Sequence, residues 1–177
     1  MSENQMNGAE ALIQSLEKVG IEIAFGIPGG SAIPLYDAMY KVRKKMKFVL
    51  VRHEQNAAHE ADGYARATGK PAAVLVTSGP GAANTVTGIM TAQMDSVPMI
   101  VVTGQSVRGM LGKDAFQEAD IFNLTMPIVK HSYLVRHAND IPRVVKEAYF
   151  IATTGRPGPV LIDVPKDVGT DPCTAGL

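Results

Sequence analysis

Apolar residues recur along the chain at two spacings, one typical of helices and one typical of buried strands. Between residues 9 and 19 they occur every three or four positions, with Asn7 before them as a candidate N-cap and Gly20 after them as a candidate left-handed C-cap. These features predict a helix. Further along, short runs rich in β-branched residues alternate with stretches of helical spacing. Strands are predicted at 21–27, 48–51, 72–77, 99–103, 131–135 and 160–164, and further helices at 32–45, 54–68, 82–94 and 140–153.

This alternation predicts the fold class. Connections that contain a helix favour right-handed crossovers and a mostly parallel sheet. The predicted strands are mostly apolar throughout, as at 72–76, which is typical of strands covered by helices on both faces. We therefore expect a three-layer α/β/α domain with a mostly parallel, six-stranded sheet over residues 1–168. Residues 106–124 receive no clear assignment, and residues 169–177 lose the periodicity and are expected to form a tail or the start of a linker.

Composition and charge exclude several classes of protein. The chain has 46% hydrophobic and 19% charged residues, which indicates a large core rather than disorder. Its 17 basic residues balance its 17 acidic ones without a long basic run, so neither nucleic acid nor a membrane is an expected partner. The uncharged stretch 71–94 is interrupted by polar residues and is expected to be buried within the domain.

The single cysteine and the start of the chain bear on localisation. Cys173 cannot form an intrachain disulfide, and it lies among the last five residues, where chain ends tend to fray. Residues 1–14 contain no visible export or organelle signal. These features favour the cytoplasm.

The turns after the predicted strands are the candidate site, because ligands bind beyond the carboxyl ends of strands in open parallel sheets. Glu54 follows one such strand and opens a predicted helix. Among apolar neighbours its carboxyl group could hold or share a proton near neutral pH. The alternative is a first-turn acid that only favours the helix dipole. His53 and His59 are more typical of hydrogen-bonded structural groups, and the four histidines lack partners at metal-ligand spacing, so no metal site is expected.

A glycine-rich turn follows the predicted strand at 72–77. Gly79, Gly81 and Asn84 imitate a dinucleotide fingerprint, but its third glycine is missing and the next predicted strand is followed by Gly104-Gln105 rather than by an acid. A nicotinamide site is therefore disfavoured, and a nucleotide-binding module without catalysis remains only an alternative. The turn could let a flat ligand approach closely, with Asn84 as donor and acceptor, or it could be a plain tight turn.

Six motifs in order resemble a known family. The sequence is similar to the N-terminal pyrimidine-binding domain of thiamine-diphosphate enzymes, most closely to the catalytic subunits of acetolactate (acetohydroxyacid) synthases, over about residues 7–168. The motifs that carry this resemblance are GIPGG at 26–30, RHEQ at 52–55, ADGYAR at 61–66, TSGPG at 77–81, DAFQEAD at 114–120 and GRPGPV at 155–160.

The resemblance implies roles for particular residues. Glu54 matches the glutamate that bonds the aminopyrimidine of the cofactor and promotes its proton transfer. Gln117 matches a glutamine near the reacting substrate oxygens and is the second implied catalytic residue. The other implied positions are Gly29, Gly30, Pro80 and Asn84 at the pyrimidine, Phe116 at the flavin and substrate channel, and Arg156 and Lys166 at the flavin or the channel mouth.

The resemblance also implies an activity and its partners. Such enzymes decarboxylate pyruvate and join the remaining fragment to a second 2-ketoacid, in branched-chain amino-acid biosynthesis. They use thiamine diphosphate and Mg²⁺, whose ligands would lie outside this chain, with FAD as a possible further cofactor. A homodimer or higher homo-oligomer is expected, through the helices after Glu54 and after Gly81, with a possible regulatory subunit.

Length and some residues depart from the pattern. With 177 residues the chain lacks the central and C-terminal domains of the family, so we expect one domain of a longer enzyme, inactive when isolated. Val107, Gly109 and Lys113 differ from the residues expected in the channel loop, which puts channel detail in doubt. The alternative is the small subunit of a split thiamine-diphosphate decarboxylase similar to sulfopyruvate decarboxylase. The segment Phe116-Gln117-Glu118 favours the first of these hypotheses.

Overall fold

A six-stranded, fully parallel sheet lies at the centre of the computed structural model, which describes residues 6–177. All five pairs of neighbouring strands are parallel, so the predicted three-layer α/β/α fold is confirmed. The strands are β1 (Ile23–Gly26), β2 (Lys47–Leu50), β3 (Ala72–Val76), β4 (Met99–Gln105), β5 (His131–Leu134) and β6 (Pro159–Pro165), in the order β2-β1-β3-β4-β6-β5.

Helices cover both faces of the sheet and divide the core in two. One core cluster packs the first two and the last two helices against one face, and the other packs the helices after β2 and β3 against the opposite face. Successive residues of β3, Val74 and Leu75, belong to different clusters because side chains alternate across a strand. The helices are α1 (Gly8–Lys18), α2 (Ile33–Val42), α3 (Glu54–Thr68), α4 (Pro80–Ala83), α5 (Val86–Met94), α6 (Ile121–Thr125), α7 (Ile141–Thr153) and α8 (Lys166–Thr170).

Local sequence explains where α1 begins and ends. The Asn7 side chain accepts from the Glu10 backbone N–H, while the Glu10 carboxylate accepts from the Asn7 backbone N–H, which forms a capping box. The helix stops at Val19, and Gly20 adopts the positive φ of 100° that a side chain would disfavour. The prediction of this helix is confirmed.

Burial of the strands follows their position in the sheet. Every residue of the central strands β3, β4 and β6 is buried, whereas the edge strand β2 exposes most of its length. β4 extends two residues beyond its predicted end, so Gln105 lies in the strand rather than in a turn. None of the helices within residues 6–177 is long and apolar enough to cross a membrane.

Two predicted helices differ from the structure. The helix predicted at 82–94 is divided into α4 and α5, because the Thr85 hydroxyl donates to the Ala82 carbonyl and its backbone N–H donates to the same oxygen. The helix predicted at 32–45 stops at Val42, and the backbone N–H groups of residues 44–46 donate to the Glu17 carboxylate instead. The unassigned stretch 106–124 contains a short 3₁₀ turn and α6.

The segment near residue 177 is packed against the domain. The Cys173 backbone N–H donates to the Met6 carbonyl, and Asn7 forms an antiparallel bridge with Pro172. The Cys173 side chain is 3% exposed and contacts the Ala138 carbonyl. The expectation of fraying at Cys173 is therefore wrong, because backbone pairing and burial hold this segment. The boundary at 168 stays a prediction, and residues 1–5 of the predicted domain lie outside the described residues.

Candidate functional site at the carboxyl ends of the strands

The turns after β1, β2 and β3 meet at one edge of the sheet, because the three strands are parallel neighbours. Glu54 is the first residue of α3 and is partly buried. His53 caps this helix, since its Nδ1 accepts from the Gln55 backbone N–H at 3.2 Å. His59 lies one turn further along, with its Nε2 3.5 Å from the Gln55 side-chain nitrogen. Both histidines thus have local hydrogen-bonding roles.

Glu54 and Asn84 are in direct contact. The Asn84 side-chain amide donates to Oε2 of Glu54 at 3.0 Å. No hydrogen bond among residues 6–177 uses the other carboxylate oxygen, Oε1, so that atom is available to a ligand. A Cβ at Gly81 would lie 3.2 Å from this Oε1 and 2.6 Å from Cγ2 of Thr77. The glycine therefore keeps the backbone close to the carboxylate without a side chain between them.

The turn after β1 is joined to the turn after β3 through hydroxyl groups. The Ser31 hydroxyl lies 2.9 Å from the Thr77 hydroxyl and accepts from the Ser78 backbone N–H at 2.9 Å. A Cβ at Gly29 would lie 2.6 Å from Cβ of Thr77, so the two turns approach more closely than a side chain would allow. A Cβ at Gly30 would meet nothing within 4 Å, and Gly30 therefore borders open space.

The loop after β4 lies against the glycine-rich turn. Gly79 has a φ of 59°, and a Cβ there would lie 2.5 Å from the carbonyl oxygen of Gln117. Gln117 itself has a φ of 54°, a value that residues other than glycine rarely adopt. Two residues with positive φ thus meet at the point where this loop contacts the start of α4, beside Pro80. The neighbouring Phe116 is 88% exposed.

A cavity of about 250 Å³ lies at this junction. It brings together Gly30, Phe116 and Gln117 with Lys166, the exposed first residue of α8 after β6. Four implied site residues, from two separate motifs and the end of β6, therefore line one opening. The remaining lining residues are Ser31, Ser78, Gln105, Ser106 and Val107.

Arg156 lies elsewhere in the fold. It precedes β6, at the amino end of the sheet, opposite to Glu54. Its Nε donates to the Ser96 hydroxyl at 2.7 Å, and its guanidinium also donates to the Met94 carbonyl at 2.9 Å, at the C-terminus of α5. A cation there compensates the free carbonyls of the helix end. The structure does not bring Arg156 together with the other site residues.

Four residues near the site were given no role by the sequence analysis. Ser31 and Thr77 join the turns, while Gln105 and Asp163 form a buried pair under the cavity. Burial raises the pKa of the Asp163 carboxyl to about 7, and the hydroxyl and amide donors that contact it oppose this shift. For Asp163 the sequence did contain a signal, because it is an acidic residue inside the apolar run 160–164. A buried acid needs specific hydrogen-bond partners, so a polar neighbour in the fold could have been expected.

Residues 6–177 hold no group of three or more histidine, cysteine, aspartate or glutamate side chains that could bind a metal ion. The Glu54–Asn84 pair and the cavity together offer one carboxylate, three side-chain amides, hydroxyls and one ammonium group. Such a set suits an organic ligand with ring nitrogens and oxygens more than a cation.

Comparison with known proteins identifies the family. The model of the family described as "Thiamine pyrophosphate enzyme, N-terminal TPP binding domain" matches residues 6–124. The chain belongs to this family. Among the proteins to which it is similar is an acetolactate synthase of Arthrospira platensis. The two are 59% identical over 167 residues, which are 93% of this chain and 29% of that protein.

Two further relatives carry related names. An acetolactate synthase large subunit of Haemophilus influenzae is 53% identical over 92% of this chain and 28% of its own length. One from Cyanidium caldarium is 59% identical over 93% of this chain and 28% of its own length. The chain therefore spans less than a third of the length of these relatives, and aligns with them over nearly all of its own.

Proposed function

We propose that this chain is the pyrimidine-binding domain of an acetolactate synthase catalytic subunit, an enzyme that decarboxylates pyruvate and joins the fragment to a second 2-ketoacid. The observation that carries the proposal is the Glu54 carboxylate, oriented by Asn84 on one oxygen and open on the other. Relatives that share more than half of their aligned residues with this chain and are named acetolactate synthase support the choice of reaction.

The cofactor site is proposed around Glu54. Thiamine diphosphate, when bound, supplies a carbon nucleophile for attack on the ketoacid carbonyl. Glu54 would hold a proton at Oε1 and share it with a pyrimidine nitrogen, while Asn84 keeps the carboxylate oriented. We place Gly29, Gly30 and Pro80 beside the flat ring, and a Cβ at Gly30 would meet nothing within 4 Å. A Cβ at Gly29 or Gly81 would collide with Thr77, so these glycines keep the turns that border the proposed ring site close together.

The substrate site is proposed in the adjoining cavity of about 250 Å³. The Gln117 side-chain amide would donate to a substrate oxygen, which complements Glu54 as the second catalytic residue. The Lys166 ammonium group would attract the carboxylate of an incoming ketoacid. Phe116, exposed at the rim, would cover the substrate from water and contact FAD where FAD is bound.

Other parts of the enzyme complete the proposal. Mg²⁺ and the diphosphate would be bound outside residues 6–177, which hold no metal-ligand cluster. Arg156 remains a candidate for FAD contact at a point distant from Glu54. We propose the cytoplasm as the location, and a homodimer or higher homo-oligomer with a regulatory subunit as a further partner.

The proposed oligomer interface involves α5. Met90 and Met94 are 50% and 68% exposed, and they line a groove of about 480 Å³ together with Val86. Methionine side chains adapt readily to a partner surface. Ala57, on the helix after Glu54, is fully buried within the domain and contributes nothing to an outer surface.

A product assay tests the proposed reaction. A full-length enzyme that carries this chain is incubated with pyruvate, thiamine diphosphate and Mg²⁺, and the products are separated. Acetolactate supports the proposal, whereas release of the aldehyde alone supports the split decarboxylase that resembles sulfopyruvate decarboxylase. The isolated chain is expected to form no acetolactate, and turnover by it would contradict the assignment of the diphosphate site to other domains.

A further inference from the structure

A buried polar pair lies beneath the candidate site, and the proposed reaction uses neither member. The Asp163 carboxylate in β6 accepts from the Thr103 hydroxyl at 2.6 Å on one oxygen and from the Gln105 side-chain amide at 2.9 Å on the other. Both donors lie in the neighbouring strand β4, and Thr103 pairs directly with Asp163 in the sheet register. Asp163 is 1% and Gln105 is 4% exposed.

The Gln105 side chain is held in one orientation. Its Oε1 accepts from the Ser106 backbone N–H at 2.8 Å, and its Nε2 donates to Asp163 and to the Ala119 carbonyl, both at 2.9 Å. Rotation of the amide by half a turn would place its oxygen against the Asp163 carboxylate and the Ala119 carbonyl. Asp163 therefore fixes the orientation of the Gln105 side-chain amide, which in turn donates to the Ala119 carbonyl in the loop after β4.

The loop that carries Gln117 has few other ties to the sheet. Residues 111–120 are closed on themselves by the Glu118 carboxylate, which accepts from the Ala115 backbone N–H at 2.9 Å and from the Gly112 backbone N–H. Within residues 6–177, the Gln105 to Ala119 contact is the hydrogen bond that joins this segment to the strands. Behind the loop lies a cavity of about 560 Å³, lined among others by Gln105, Glu118 and Asp163. Close packing thus does not hold the loop from that side.

We propose that Gln105 is a positioning residue that sets Gln117 over the candidate site, and that Asp163 anchors Gln105. At one end of the segment 117–119, the Gln117 carbonyl lies against Gly79. At the other end, the Ala119 carbonyl accepts from the Gln105 side chain, so both ends of the segment are held. The effect on substrate binding rests on the proposed function of Gln117. The statement that Gln105 holds the loop in place is independent of that function.

An exchange of the two side-chain types separates loop positioning from simple core stability. Gln105→Glu places two carboxylates against each other. Asp163→Asn can keep both contacts, because its amide oxygen can accept from Gln105 while its amide nitrogen donates to the Thr103 hydroxyl. The double variant restores one donor and one acceptor, so the buried hydrogen bond re-forms in the reverse direction. No side chain at position 105 can then donate to the Ala119 carbonyl. Gln14→Glu, on α1, is the control for a glutamine replaced far from the loop.

The variants are made in the full-length enzyme, and two properties are measured. They are the thermal unfolding midpoint and the hydrogen exchange of the Glu118 backbone amide, which donates to the Ala115 carbonyl within the loop. Gln105→Glu is expected to lower the midpoint and to speed exchange about tenfold, the scale of one lost hydrogen bond. Asp163→Asn is expected to leave both properties nearly unchanged. The double variant is expected to recover most of the midpoint while exchange stays fast. Its KM for the ketoacid should remain raised as well.

Two outcomes overturn the positioning role. Slow exchange in Gln105→Glu would show that other contacts hold the loop, and recovery of slow exchange in the double variant would show that only the buried pair matters. Fast exchange in the double variant with unchanged turnover and KM would support the positioning of the loop by Gln105. The same result would refute the role of Gln117 in the proposed function.

Discussion

Asn84 donates its side-chain amide to Oε2 of Glu54 across 3.0 Å, although 30 positions separate the two residues. The contact ties the start of α3 to the residue that follows α4, and it fixes the orientation of a carboxylate at a partly exposed position. Its physical effect is preorganisation: the open oxygen of Glu54 points in one direction before any ligand binds.

The first prediction concerns the Glu54 carboxyl group itself. In the full-length enzyme, Glu54→Gln should lower turnover by a factor of about a hundred or more, the usual scale for a positioned proton-transfer group. Steady-state kinetics with pyruvate measure this effect. Glu60→Gln, an exposed position on the same helix, is the matched control and should leave turnover unchanged. Equal turnover in both variants would show that Glu54 is only a first-turn acid.

The second prediction concerns the orientation of that carboxyl group. Asn84→Ala removes the hydrogen bond to Oε2 and should lower turnover about tenfold, the equivalent of one hydrogen bond. Asn84→Asp should lower it further, because two carboxylates would then face each other. Asn56→Ala, also exposed and on α3, serves as the control. A turnover for Asn84→Asp above that of Asn84→Ala would contradict the orienting role.

The third prediction concerns close packing at Gly81. A Cβ there would lie 2.6 Å from Cγ2 of Thr77, so Gly81→Ala should lower the free energy of unfolding by about 1–3 kcal/mol. Adding Thr77→Ser removes that methyl group but keeps the hydroxyl that contacts Ser31, and it should restore most of the loss. Chemical denaturation measures both variants. Gly63→Ala on α3, where a Cβ meets nothing within 4 Å, should not destabilise the domain.

The fourth prediction concerns pH. Burial raises the pKa of Asp163 in the folded protein to about 7, above its ordinary value of 3.8, so the folded state binds this proton more tightly than the unfolded state. The penalty for ionising Asp163 is therefore absent below about pH 4 and grows until about pH 7, where it reaches at most about 4 kcal/mol. Unfolding in urea at several pH values should show stability falling across this range.

Two variants check the origin of this pH dependence. Asp163→Asn should remove the corresponding slope, whatever its effect on the stability at one pH. Thr103→Val removes the hydroxyl that donates to the carboxylate at 2.6 Å, and it should move the upper end of the slope to higher pH. An unchanged slope in Asp163→Asn would assign the pH dependence to other groups.

The fifth prediction concerns self-association. The exposed methionines of α5 form an apolar groove, so the chain should form a dimer, and Met90→Glu should weaken it. Light scattering across a concentration series measures the change. Phe150→Glu, at a residue 64% exposed on α7, is the control for a charge placed on another apolar surface position. A monomer at high micromolar concentration would contradict self-association. Equal weakening by both variants would show that the interface does not lie specifically at α5.

The fold could be predicted from the sequence because helix and strand formation here depends mostly on the spacing of apolar residues within short segments. The apolar runs of β3 and β4 and the helical spacing between them specify a parallel sheet directly. They also placed Glu54 at a strand end, which was enough to mark it as a candidate. The division of α4 from α5 depends on the Thr85 hydroxyl, whose choice of partner no spacing reveals.

Contacts between distant segments account for what the patterns missed. The pairing of Gln105 with Asp163 depends on the strand order that places β4 beside β6, and sequence order alone does not give that neighbourhood. Gln117 has a positive φ where its carbonyl oxygen approaches Gly79, and glutamine has no intrinsic preference for such a φ. The cap that Arg156 forms on α5 likewise requires two segments 60 residues apart to meet.

The pairing of Asn7 with Pro172 makes the described chain a closed loop in space. Gly8 donates to the Asp171 carbonyl and Cys173 donates to the Met6 carbonyl, so the two ends are fastened to each other at α1. The Lys18 ammonium group also donates to the Leu177 carbonyl, and the Asn139 side chain accepts from the Thr174 backbone N–H. A force applied near residue 177 is therefore expected to load these contacts before it reaches the turns that hold Glu54.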